Sequence, residues 1–127
     1  MSYPHFQTEC DRYHDVVRDY RTGAQKPVIV CLCGSTKFYS KFQEVNYQLT
    51  LSGHIVLSIG CDAKSDVGLK ISAIQKLDLD ELHKRKIDLC DEVLVLNVGG
   101  YIGDSTRSEI VYAKQIGRPV KYLETLE

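Results

Sequence analysis

Residues 92–112 read "EVLVLNVGGYIGDSTRSEIVY", and this stretch decides the fold. It begins as a continuous apolar run, crosses three glycines in five residues (Gly99, Gly100 and Gly103), and enters the helical pattern "STRSEIVYAKQIG", which Gly117 closes. A run apolar on both faces is what a strand needs when a parallel sheet buries it in its middle. A strand that turns directly into a helix is the repeating unit of such a sheet.

The same grammar recurs outward from this stretch. "VIVCLCG" (28–34), after Pro27, is a second buried strand, followed by a helix in which Phe38, Phe42, Val45 and Leu49 recur at three- and four-residue spacing up to Gly53. "HIVLSIG" (54–60) is a third strand. Residues 62–75 read as a loop with a short helix, and "LDLDELHKRKIDLC" (77–90) as a helix with Leu79, Leu82, Lys86 and Leu89 in phase. "PVKYLE" (119–124) closes the series. The alternation β-α-β-α-β-α-β with right-handed crossovers predicts a small doubly wound α/β domain, a parallel sheet covered by helices on both faces. The domain spans residues 27–127. Residues 1–26 form a polar N-terminal extension, with a candidate helix presenting Tyr13, Val16, Val17 and Tyr20 and stopping at Gly23.

Composition bounds what such a domain can do. The chain has 127 residues, 43% hydrophobic and 26% charged, with a net charge of −1. One core is expected, and no bulk electrostatic pull toward nucleic acid or a membrane. The N-terminus lacks the basic and apolar segments of a signal peptide, and no apolar run has the length of a membrane span. Five cysteines, odd in number and partly inside apolar runs, suit reduced thiols in a cytoplasmic protein.

In open parallel sheets, ligands bind beyond the carboxyl ends of the strands. Three loops fall there: Cys33–Lys37, Gly60–Ser65 and Asn97–Thr106. "CGSTK" (33–37) sets backbone N–H groups, the hydroxyls of Ser35 and Thr36, and the Lys37 ammonium at a helix start, which suits a phosphate; equally, Ser35 or Thr36 is an N-cap. No P-loop and no G-x-G-x-x-G accompanies it. Cys31 and Cys33 face one side of their strand, and with His54 and Cys61 they can be drawn as metal ligands. Without a C-x-x-C or H-x-x-H pair they read instead as small apolar fillers, so no metal and no cofactor is expected. Thr106-x-x-Glu109 matches a capping box, against which stands a second reading: a carboxylate in a first helical turn, beside a glycine loop whose backbone can approach a ligand.

Taken together, "VCLCGSTKF" and "KIDLCDEVLVLNVGGYIGDSTRSEIVYAKQIGRPVKYLE" resemble the nucleoside 2-deoxyribosyltransferase superfamily, in particular its nucleoside 5'-phosphate N-hydrolase branch. The resemblance covers about residues 27–124. It implies a Rossmann-like domain that assembles as a homodimer or larger homo-oligomer and cleaves the bond between base and sugar of (deoxy)nucleoside 5'-monophosphates. It assigns Glu109 as nucleophile, Ser105 and Thr106 as flanking groups, and Gly34, Ser35 and Lys37 as phosphate ligands. Cys33, Asn97, Gly99 and Gly100 complete the implied substrate-binding loops. Relatives carry an aspartate where this chain has His83, so His83 is the candidate general acid, with Asp80, Glu81 and Asp88 as substitutes and a solvated helix face as the plain alternative. The chain ends at "YLETLE" just after the last strand, where transferases of the family continue; hydrolysis is therefore favoured over transfer. A non-catalytic nucleotide-binding module on the same fold is the competing class.

Overall fold

The structure is a computed structural model that describes Arg21, Gly23 and residues 26–60 and 71–126. The expected N-terminal helix and Cys61 through Ser65 of the second loop lie, apart from Arg21 and Gly23, outside the described residues. Four strands form one sheet: β1 (Ile29–Cys33), β2 (Ile55–Leu57), β3 (Glu92–Val95) and β4 (Val120–Tyr122), in the order β2-β1-β3-β4 and parallel throughout. Among the described residues, three α-helices connect them: α1 (Tyr39–Leu51), α2 (Ala73–Leu89) and α3 (Asp104–Gln115).

Strand alternation divides the core in two. Val30 and Leu32 of β1 face α1 and pack with Phe42, Val45 and Leu96. Cys31 and Cys33 face the other way and pack with Ile87, Cys90, Val93, Val95, Ile110 and Ala113 under α2 and α3. Helices on both faces of a parallel sheet are as expected, and the connectivity explains their placement. From β1 the chain moves outward to β2, whereas from β2 to β3 and from β3 to β4 it moves the opposite way. With right-handed crossovers this reversal sends α1 to one face and α2 and α3 to the other. It also makes the loops after β1 and β3 diverge, opening a crevice between their carboxyl ends.

The starts of α2 and α3 differ from expectation. α2 begins at Ala73 because Ser72 caps it: the Gln75 N–H donates to Ser72 Oγ at 3.1 Å, and the Ser72 N–H donates to Gln75 Oε1 at 2.9 Å. α3 begins at Asp104 with Gly103 as N-cap and no side-chain cap. The inward face of α2 differs too. Its buried residues are His83 and Ile87, while Leu79, Leu82 and Leu89 are 37%, 53% and 68% exposed. α2 and α3 are fastened to one another where the Tyr112 hydroxyl donates to Asp88 Oδ1 at 2.5 Å and Arg85 donates to the Tyr112 oxygen at 3.0 Å.

Candidate functional site

The crevice between the ends of β1 and β3 is a pocket of about 420 Å³. One wall is the turn Gly34–Thr36, another the start of α3 from Gly103 to Thr106, and a third the α2 face carrying Lys76, Asp80 and His83. Tyr101 lies at its rim, and Glu109 at its floor.

Glu109 is not a helix cap. Because α3 starts at Asp104, Glu109 is its sixth residue, a full turn and a half inside, and Thr106 is buried within the helix instead of preceding it. The capping-box reading is thereby overturned, since that reciprocal pair needs Thr106 at the N-cap and Glu109 at the third helical position. The Glu109 side chain is 9% exposed, and its Oε2 has no hydrogen-bond partner. Burial pushes the carboxyl up to about 7, with the neighbouring His83 partly offsetting that rise.

His83 is not on a solvated face either. Its ring is buried, and Nε2 lies 2.9 Å from the Leu32 carbonyl oxygen, 3.5 Å from Cys33 Sγ, 3.7 Å from Cys31 Sγ and 3.7 Å from Glu109 Oε2. A carbonyl only accepts, so Nε2 carries a proton and donates it there. Burial alone would lower the His83 pKa, but Cys31 and Glu109 draw it upward overall. Cys31 is lowered to about 6, chiefly by its hydrogen bond with Cys33 and against the cost of burial, while Cys33 is raised well above the ordinary thiol range by that same bond and by burial.

Of the phosphate-loop residues, Gly34, Ser35 and Thr36 line the pocket. Ser35 also caps the short 3₁₀ turn Thr36–Phe38, accepting from the Lys37 N–H at 3.3 Å, so both readings of this serine coexist. Gly34 has a packing reason of its own, because a Cβ there would sit 3.2 Å from the Leu96 carbonyl oxygen and 3.2 Å from Phe42 Cζ. Cys33 lies beneath this turn with no exposure. Lys37 is elsewhere: its Nζ sits 3.3 Å from the centroid of the Tyr101 ring and is not part of the pocket wall.

The glycine loop splits in the same way. Gly99 and Gly100 adopt φ of 62° and 80°, which only glycine takes readily, and neither lines the pocket. The Gly99 N–H donates to the Glu124 carboxylate at 2.9 Å. Asn97, buried, clamps the backbone of the same residue, donating to the Glu124 carbonyl at 3.0 Å and accepting its N–H at 2.9 Å. These three residues shape the loop behind the pocket, whereas Gly103, Ser105 and Thr106 reach it.

Lys76, Lys86 and Tyr101 are among the pocket residues that the sequence did not assign. Lys86 is committed to the Ser58 carbonyl at 2.7 Å. Lys76 bridges Asp80, at 3.3 Å, and Ser105 Oγ, at 3.1 Å, across the mouth. The spacing Lys76, Asp80, His83 (four, then three) was the available signal, one polar helix stripe beside the apolar one. Among family models, curated proteins and solved structures, none matches this chain.

Proposed function

We propose that this pocket binds a (deoxy)nucleoside 5'-monophosphate and cleaves its N-glycosidic bond by hydrolysis. The observation that carries the reading is Glu109: a carboxylate buried at a pocket floor, held a turn and a half inside a helix, with one oxygen lacking any hydrogen-bond partner. A structural glutamate is exposed or fully partnered, whereas a nucleophile must keep a free oxygen aimed at the substrate.

In this mechanism Glu109 Oε2 attacks the anomeric carbon as the bond to the base breaks and its electron pair leaves with the base. His83 favours the ionised carboxylate; the proton for the departing base comes from His83 once it gives up its bond to Leu32, or from Asp80, one turn nearer the mouth on the same wall. Water then hydrolyses the glycosyl ester and regenerates Glu109. The phosphate is received by Ser35 and Thr36 together with Lys76, which takes the part that the resemblance gave to Lys37. Incubation with ribo- and deoxyribonucleoside monophosphates tests the reading. Release of free base supports it, and tight binding of a monophosphate without release would mark a nucleotide-binding module instead.

The dimer belongs to the same proposal. Phe42 is 1% exposed and fills the core, so it offers no contact surface. Among the described residues, α2 offers an exposed apolar stripe of Leu79, Leu82 and Leu89, which borders the pocket through Leu79 and Leu82.

A further inference from the structure

Beneath the pocket floor, four electron-rich atoms surround one ring nitrogen. Around His83 Nε2 stand the Leu32 carbonyl oxygen at 2.9 Å, Cys33 Sγ at 3.5 Å, and Cys31 Sγ and Glu109 Oε2 at 3.7 Å each. Nε2 has one proton to offer, and Leu32 takes it. Glu109 Oε2, on a side chain nine-tenths buried, is left with no partner at all. Two thiols, an imidazole and an unpartnered carboxylate oxygen gathered in a dry interior form a donor set that a cation would satisfy.

We propose that Cys31, Cys33 and His83 form a site for a thiophilic divalent cation of the zinc type, with Glu109, whose Oε2 lies 3.7 Å from His83 Nε2 but outside that close trio, drawn in as the fourth ligand on binding. The ligating atoms of the first three already lie within 4.8 Å of one another, all on buried residues. Zinc with its usual bonds to sulfur and imidazole nitrogen needs a sulfur–nitrogen edge of about 3.6 Å in a tetrahedron, and the two observed edges are 3.5 and 3.7 Å. The donor set, two thiols, an imidazole and a carboxylate, is one that zinc takes and that magnesium and calcium do not. β1 supplies both thiols because residues two apart on a strand share a face, α2 supplies the imidazole, and α3 the carboxylate. The ion reaches the site through the pocket, whose wall includes His83 and Glu109.

Binding requires the ring proton to move from Nε2 to Nδ1, so that the Nε2 lone pair meets the metal, and the thiol protons pass to solvent. The hydrogen bond to Leu32 is given up in exchange. Metal binding does not depend on the glycosidase reading, but its consequence does: a bound ion occupies the oxygen of Glu109 that would attack, so the loaded protein is silent and the stripped protein active.

Cobalt(II) titration of the chelator-stripped full chain tests the site, with the other thiols of the N-terminal extension and second loop removed as Cys10→Ser and Cys61→Ser. One cobalt per chain is expected, with a thiolate-to-cobalt charge-transfer band in the near ultraviolet and tetrahedral bands in the visible, both displaced by zinc. Cys31→Ser with Cys33→Ser should abolish the charge-transfer band, and Glu109→Gln should keep that band while weakening affinity at least tenfold. Because the double substitution lies in the core, His83→Gln provides an independent arm, expected to weaken binding with the charge-transfer band reduced. A featureless cobalt spectrum in the parent protein overturns the site whatever the enzyme assay shows. A band unaffected by either the cysteine or the histidine substitutions does the same. Zinc inhibition of base release, reversed by chelator, tests the consequence; a normal cobalt spectrum with no base release from the stripped protein refutes the glycosidase reading and leaves the metal site standing.

Discussion

His83 Nε2 and Glu109 Oε2 lie 3.7 Å apart, each on a side chain 9% exposed, although one belongs to α2 and the other to α3. Two ionisable groups meeting in a dry pocket floor are costly to assemble, and neither has a capping or surface role that would account for it.

Glu109→Gln separates structure from chemistry. The amide keeps the shape and removes the charge that burial penalises, so the melting temperature should hold or rise slightly. Base release should fall by roughly three orders of magnitude or more, the usual scale for loss of a covalent nucleophile. A Gln variant that turns over near the wild-type rate would rule out the covalent mechanism.

The two lysines beside the phosphate turn should behave differently. Lys76 bridges Ser105 and Asp80 across the pocket mouth, whereas Lys37 rests on the Tyr101 ring. Lys76→Ala should weaken monophosphate binding by about tenfold or more, since a charge-assisted hydrogen bond contributes about 1.5–3 kcal/mol. Nucleoside binding should change little, and Lys37→Ala should have only a minor effect on either. Isothermal titration with both ligands measures this, and the reverse ranking would return the phosphate to Lys37.

His83→Gln and Asp80→Asn distinguish the two acids. Whichever protonates the departing base, its loss should cost most with bases that leave poorly and least with an activated leaving group. Equal losses across leaving groups would show that neither donates the proton.

Gly34→Ala should destabilise by roughly 1–3 kcal/mol, an overpacking cost. The added Cβ meets the Leu96 backbone oxygen and Phe42 at 3.2 Å, and backbone cannot step aside as a flexible side chain can. Urea denaturation provides the number, and a variant as stable as the parent would show that β1 and β3 can separate locally.

Leu82→Glu with Leu89→Glu places charge on the exposed α2 stripe, where the residues are 53% and 68% exposed. Sedimentation should show the parent as a dimer and the variant as a folded monomer. A parent that is monomeric at micromolar concentration would count against the stripe as an interface.

Most of the architecture was legible in the chain. The apolar runs at 28–34 and 92–98, the helical phases after them and the glycines that end them follow from local rules: periodicity, breaker residues and the rule that parallel strands are buried on both faces. The crevice could be placed for the same reason, because a parallel sheet exposes its functional loops at one edge only. Even the thiols' shared face followed from the two-residue period of a strand.

The tertiary structure decided which side of α2 turns inward. Leu79, Leu82 and Leu89 are the apolar stripe by pattern, yet His83 and Ile87 are the buried pair. Pattern reasoning ranks a leucine above a histidine for burial, and that ranking holds only when the surface to be met is unknown. Here α2 meets Cys31, Cys33, the Leu32 carbonyl and Glu109, groups that imidazole can satisfy and leucine cannot. Those partners come from β1 and α3, distant in sequence and brought together only by the reversal of direction between β1 and β3. The start of α3 at Asp104 is of the same kind, since it turns Glu109 from a cap into a pocket floor. Local propensity sets which residues are helical or extended; long-range packing sets what each side chain meets, and the chemistry of the site depends on the second.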